Sequence, residues 1–231
     1  MTWRVPLSDV NLDSAEIDAV VAVMRSGWLT MGSITQAFEQ EFAAFTGSKH
    51  ALAVTNGTAA LHLACLALDL GPGDEVILPS LTFVASANAI RYTGATPVFA
   101  DIESTDWLCL SPEAVRAAIT PQTKAIMVVH YAGYPCDMPT ILEIARQHHL
   151  VVIEDAAHAV GAALEGKALG TWGDIGCFSF FGNKNLTTGE GGMLLTQDDQ
   201  LAEKLQRLRS HGMTTLTWDR ARGHASTYDV V

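Results

Sequence analysis

Three polar clusters and one aromatic residue carry the residue types best suited to chemistry in this chain. The first cluster is Thr55-Asn56-Gly57-Thr58-Ala59-Ala60. A strand end, a glycine and a helix start make a nest of open backbone N–H groups there. Such a nest suits a phosphate, with a further bond available from the Thr58 hydroxyl. An ordinary helix cap accounts for the same residues equally well. Neither GxGxxG nor GxxxxGKS occurs, so the dinucleotide and P-loop readings lack their usual support.

The second cluster is Glu154-Asp155-Ala156-Ala157-His158, directly after the apolar run Leu150–Ile153. A carboxylate at the end of a parallel strand can pair with a protonated ring nitrogen. A pyridoxal phosphate enzyme requires that pairing, because it keeps the ring able to accept electrons. His158 can reach such a ring or its phenolic oxygen. Helix capping by Asp155 is the plain alternative. The third cluster runs from Phe178 to Gly192 and contains Lys184, one of five lysines in the chain. A lysine that forms a Schiff base needs a positioned, desolvated amine of lowered pKa. Ser179 can bond a phosphate oxygen. A loop lysine is ordinarily a solvated surface group, but the aromatic and glycine neighbours of Lys184 weigh against that. Phe83, in the segment Pro79–Asn88, either stacks on a flat ring or packs in the core.

These residues need a scaffold, and the pattern supplies alternating helices and strands. Asp13–Arg25 reads as a helix with a capping box from Asp13 and Glu16 and a stop at Gly27. Ser33–Phe45 reads as a second helix, with Phe38, Phe42 and Phe45 on one core-facing stripe. Seven strands are expected: Ala51–Val54, Val76–Leu78, Thr96–Ala100, Ala125–Val129, Leu150–Ile153, Ile175–Phe180 and Met193–Leu195. Helices are expected from Thr58 to about Leu70, from about Phe83 to Tyr92, and over Ser111–Ile119, Asp137–His149 and Gln197–Arg209. Runs such as Ile126-Met127-Val128-Val129 lack alternation, so those strands are buried on both faces. The expected fold is a three-layer α/β/α arrangement around a mostly parallel seven-stranded sheet. Ligands in such sheets bind beyond the carboxyl ends of the strands, where all three clusters fall.

Composition narrows the function classes. A chain of 231 residues with 48% hydrophobic residues can build a substantial core, which excludes global disorder. No apolar run approaches the roughly 20 residues of a membrane span, and the N-terminus has no signal-peptide stretch, so the expected location is cytoplasmic. A net charge of -11 argues against a nucleic-acid partner. Cys65, Cys109, Cys136 and Cys177 lack zinc-ligand spacing and read as small buried hydrophobes, and no metal site is expected.

The segments TNGTAALHLA, GDEVILPSLTFVASANAI, GATPVFADI, VVIEDAAHAVGA and GDIGCFSFFGNKNLTTGEGGMLLT together resemble the DegT/DnrJ/EryC1/StrS family. These are pyridoxal phosphate (PLP) dependent sugar aminotransferases of fold type I. The resemblance begins at GWLTMG and runs through nearly the whole chain. It implies that Lys184 carries the cofactor and that Asp155 partners the pyridine nitrogen. It also implies that His158 contacts the cofactor, Ser179 and the backbone at Thr58 and Ala59 cradle the phosphate, and Phe83 stacks on the ring. Gly32 matches the lining of the substrate entrance. The implied reaction passes an amino group from a glutamate-type donor to a nucleotide-linked keto-sugar, in amino-sugar biosynthesis, by a homodimer. Relatives lacking the lysine act as sugar dehydratases; Lys184 favours transamination. Another fold-type-I enzyme, or a non-catalytic truncated fragment, remains the alternative. Family members continue with Gly-x-Asn-x-Arg and a small C-terminal domain. Residues 1–231 are therefore expected to be the PLP-binding large domain, with a helical segment over about 1–47 and the small domain missing. The stretch from His211 to His224 is expected to be a substrate loop, a partner-subunit loop or plain solvent loop.

Overall fold

A computed structural model describes residues 8–213 and Val230. The expected loop over His211–His224 therefore lies outside the described residues from position 214 onward. Two helices open the chain, α1 (Ser14–Ser26) and α2 (Ser33–Thr46). Asp13 Oδ1 accepts from the Ala15 N–H at 2.7 Å, and Glu16 Oε2 accepts from the Asp13 N–H at 2.9 Å. This is the expected capping box, and Gly27 closes the helix at φ 73°. No residue of α1 is buried. In α2, Phe42 meets Phe178 edge-on at 5.2 Å and Phe38 meets Phe180 at 5.4 Å. Phe45 departs from the expected stripe. It sits in the last turn of α2, past the sheet's aromatic cluster, and is 65% exposed.

The alternation then begins: β1 (His50–Val54), α3 (Gly57–Ala67), β2 (Glu75–Pro79), α4 (Val84–Tyr92), β3 (Thr96–Ala100), α5 (Pro112–Ala118) and β4 (Thr123–Val129). It continues through a 3-10 turn (Tyr131–Gly133), α6 (Met138–His148), β5 (Val151–Asp155), the small hairpin β6 (Ala163–Leu164) and β7 (Lys167–Ala168), β8 (Ile175–Ser179), β9 (Gly192–Thr196) and α7 (Asp199–Arg209). Two expectations shift at their ends. The strand β5 extends to Asp155, so Glu154 and Asp155 belong to the strand and project from opposite faces. The helix α3 stops at Ala67, short of Leu70, because Asp69 adopts the left-handed conformation at φ 56°. The hairpin was not legible in the sequence: two-residue strands have no periodicity to read.

The main sheet has seven strands in the order β1-β9-β8-β5-β4-β2-β3. It is mostly parallel; β9 alone runs antiparallel to its neighbours β1 and β8. One core layer packs α3, α4 and α7 residues such as Ala64, Ile90 and Leu205 against Ile153 and Leu194. The other packs Val115, Met138 and Ile141 against Ile126 and Val152, continued by the aromatic cluster under α2. The four cysteines are buried and unbridged, as expected. No described helix is long and apolar enough to cross a membrane.

Candidate active site

The site forms at the carboxyl ends of β2, β5 and β8, opposite the N-terminus of α3. Asp155, the last residue of β5, is 5% exposed. Its Oδ2 accepts from the Ser86 hydroxyl at 2.8 Å, and its Oδ1 accepts from the Ala157 N–H at 3.2 Å. Burial raises its pKa above the usual carboxylate range. The Ser86 bond, the Ala157 N–H, His158 and Lys184 each pull it back. Sequence reasoning missed Ser86. It lies within the segment around Phe83, one turn into α4, and is wholly buried with Thr82 Oγ1 at 2.7 Å. Nothing local in the sequence marks it, because its partner Asp155 lies 69 residues along the chain.

Lys184 stands in the loop after β8, with its N–H on the Phe181 carbonyl at 2.9 Å. Lys49 and Lys204 are tied to aspartates and Lys167 lies over the Trp172 ring. The Lys184 amine instead makes no ion pair with a described residue. Partial burial lowers its pKa from the ordinary lysine value, while Asp155 acts in the opposite direction. Asp155, His158 and Lys184 therefore share one electrostatic neighbourhood. His158 Nδ1 accepts from the Ala132 N–H at 3.2 Å. Ala132 holds the left-handed conformation, φ 53° and ψ 21°, which aims that N–H at the imidazole. Burial and Lys184 lower the His158 pKa. The neutral ring thus carries its proton on Nε2, the nitrogen left open to a ligand.

At the start of α3, where the sequence suggests a phosphate nest, one donor is already engaged. Asn56 caps α3, and its Oδ1 takes the Ala59 N–H at 2.8 Å. Ala59 is therefore engaged by its own helix cap. The N–H groups of Gly57 and Thr58 have no partner among the described residues, and they are the open donors. Gly57 lies against Ser179: a β-carbon added there would come within 2.8 Å of Ser179 Cβ and 3.3 Å of its Oγ. Glycine is the residue that leaves this cradle open. Ser179 is buried, and its hydroxyl oxygen accepts a long 3.4 Å bond from the Phe181 N–H, so its proton remains available. Phe83 is the N-cap residue of α4 and is 72% exposed, which settles the sequence alternative against core packing. Gly32 is the buried N-cap residue of α2 and makes no hydrogen bond to any of these side chains.

These residues suit pyridoxal phosphate: a narrow anion cradle at Gly57, Thr58 and Ser179, a buried carboxylate, and an unpaired amine of lowered pKa. Comparison with known proteins agrees. The chain is 50% identical over 223 residues to the spore coat polysaccharide biosynthesis protein SpsC of Bacillus subtilis, covering 96% of this chain and 57% of that protein. It is 53% identical over 211 residues to the GDP-perosamine synthase of Caulobacter vibrioides, covering 91% of this chain and 57% of that enzyme. It thus spans a little over half the length of these relatives. The solved structure of Spr1654 from Streptococcus pneumoniae in its PMP form superposes with a TM-score of 0.90 at 31% identity, over 99% of this chain and 62% of that one. That protein is also known in a PLP form, with a TM-score of 0.89. The match to the family itself extends over residues 10–230. By its strand-end motifs, its sheet order and this match, the chain belongs to the DegT/DnrJ/EryC1/StrS aminotransferase family.

Proposed function

We propose that residues 1–231 form the PLP-binding large domain of an aminotransferase, acting as a homodimer. It would move an amino group from a glutamate-type donor to a keto-sugar linked to a nucleoside diphosphate. The observation that carries this reading is the placement of Asp155, Lys184 and the Gly57–Ser179 cradle on one edge of the sheet. The similarity to a GDP-perosamine synthase supports a nucleotide-linked sugar as the acceptor.

Bound pyridoxal phosphate supplies an electron sink for the carbon that gains or loses the amino group. Residues of this chain would hold and orient it. The N–H groups of Gly57 and Thr58, with the Ser179 hydroxyl, hold the phosphate. Asp155 holds a proton at the ring nitrogen, and Ser86 fixes the rotamer that does so. His158 presents Nε2–H toward the phenolic oxygen. Phe83 covers a ring face and excludes water. Lys184 anchors the cofactor through Nζ. Its amine, of lowered pKa, would carry the proton to and from the carbon that gains or loses the amino group.

The test loads the chain with pyridoxamine phosphate and presents a panel of nucleotide-linked keto-sugars and simple 2-oxo acids. Amino transfer to one or more sugars, absent in Lys184→Ala, is the expected result. Turnover of 2-oxo acids alone would reject the sugar assignment. No turnover with any acceptor would reject activity for this length of chain.

A further inference from the structure

Immediately beside Asp155, on the opposite face of β5, lies a second carboxylate that the mechanism above does not use. Glu154 is wholly buried, and so is its partner His130. Glu154 Oε2 accepts from His130 Nε2 at 2.8 Å and from the Gly170 N–H at 2.7 Å. Its Oε1 accepts from the N–H groups of Trp172 and Gly173, both at 2.6 Å. All four partners are donors. The tautomer of His130 follows from its other side, where Nδ1 accepts from the Cys136 N–H at 3.2 Å. The ring proton therefore sits on Nε2 and points at Glu154.

Two of these partners belong to the segments that flank Asp155. His130 directly follows β4, and its own N–H binds the Asp155 carbonyl at 3.1 Å. The turn 170–173 leads into β8, and Cys177 of β8 accepts from the Ala156 N–H at 2.8 Å. That turn lies tight on the sheet: a β-carbon on Gly173 would come within 2.6 Å of the Val152 carbonyl oxygen. The carboxylate of Glu154 thus fastens both neighbours of the β5 terminus to one point. From His130 the chain continues into the turn whose Ala132 N–H holds His158.

We propose that Glu154, acting through His130 and the 170–173 turn, is a positioning residue that sets Asp155 and His158 for the cofactor. The proposal rests on the reading of Asp155 as the cofactor's partner. A carboxylate with four N–H donors cannot be copied by an amide, which replaces one oxygen by a donor and turns it on donors.

Two measurements on the chain decide it. Hydrogen exchange without cofactor reads the His130 and Ala156 amides, and absorbance titration reads the dissociation constant for pyridoxal phosphate. In Glu154→Gln, both amides should exchange at least about tenfold faster while α7 stays unchanged, and cofactor affinity should fall about tenfold. His130→Gln, whose amide still donates to Glu154, should stay within about threefold of the parent in both readings, whereas His130→Ala should not. If Glu154→Gln does not fold, that His130 pair decides by the same readings. Cofactor affinity unchanged in Glu154→Gln, or a uniform rise in exchange without loss of affinity, overturns the proposal and leaves Glu154 as core structure. Asp155→Asn separates the two ideas. If it leaves cofactor affinity intact, the reading of Asp155 fails, while the exchange data still judge Glu154.

Discussion

At the scale of single residues, the site holds its aspartate at a cost. Asp155 is buried, and burial is the largest influence on its pKa, which is raised. A carboxyl whose folded pKa exceeds its unfolded one destabilises the fold when ionised, and that penalty fades as the pH falls through the carboxylate range. Asp155→Asn is therefore expected to raise the Tm of the cofactor-free chain at pH 7, with a smaller gain near pH 3, while weakening pyridoxal phosphate binding. Calorimetry and absorbance titration check the two halves. Ser86→Ala should act in the opposite way on stability. It strips a wholly buried donor from Asp155 Oδ2 and should cost about 1–3 kcal/mol at neutral pH, measured by urea unfolding. Lys184 carries its own pH signature. Because burial lowers its pKa, its reaction with pyridoxal phosphate should reach half-maximal rate at a lower pH than that of an ordinary solvated lysine amine. Asp155 and Lys184 stood out as candidates in the sequence because a carboxylate at a strand end and a lysine in a glycine-rich loop can be read locally. Ser86 and Glu154 did not stand out, because their partners Asp155 and His130 lie 69 and 24 residues away along the chain.

At the scale of elements, the legible features were those written into a few adjacent residues. The Asp13 capping box and the Gly27 stop fixed both ends of α1 almost to the residue. Unbroken apolar runs marked the buried parallel strands. What escaped was set by neighbours in space. The extension of β5 through Asp155 depends on pairing with β4 and β8, and the exposure of Phe45 depends on where α2 leaves the sheet. The α3 N-terminus shows both kinds of determinant. A helix cap was one of two readings of this segment from sequence; the structure shows Asn56 engaging the Ala59 N–H and leaves the Gly57 and Thr58 N–H groups without a partner among the described residues. Two substitutions separate these roles. Asn56→Ala should cost about 1 kcal/mol of stability through the lost cap. Gly57→Ala should instead weaken binding of pyridoxal phosphate, because its β-carbon would press on Ser179. Titrating each variant with pyridoxal and with pyridoxal phosphate isolates the phosphate contribution, and Gly57→Ala should narrow the gap between the two ligands.

At the scale of the whole molecule, one ion pair fastens the sheet edge. Arg209, at the end of α7, pairs with Glu39 of α2 and donates to the Ala53 carbonyl at 3.0 Å, while Glu39 also accepts the Ala53 N–H at 2.8 Å. Both side chains are largely buried. Arg209→Ala strands the Glu39 charge and should cost about 3 kcal/mol or more, whereas breaking the exposed Arg146–Glu143 pair should leave the unfolding midpoint nearly unchanged. Denaturant unfolding of the two variants checks the contrast. The net charge of -11 would repel an anionic ligand, so any phosphate affinity has to come from the local nest of N–H groups and Ser179. The central claim is that this nest, Asp155 and Lys184 together form a cofactor site. The most direct measurement mixes the chain with pyridoxal phosphate, reduces with borohydride, and maps the labelled peptide by mass spectrometry. The expected result is a yellow solution and a single fixed adduct on Lys184, lost in Lys184→Ala. No adduct, or one spread over the other lysines, would contradict it.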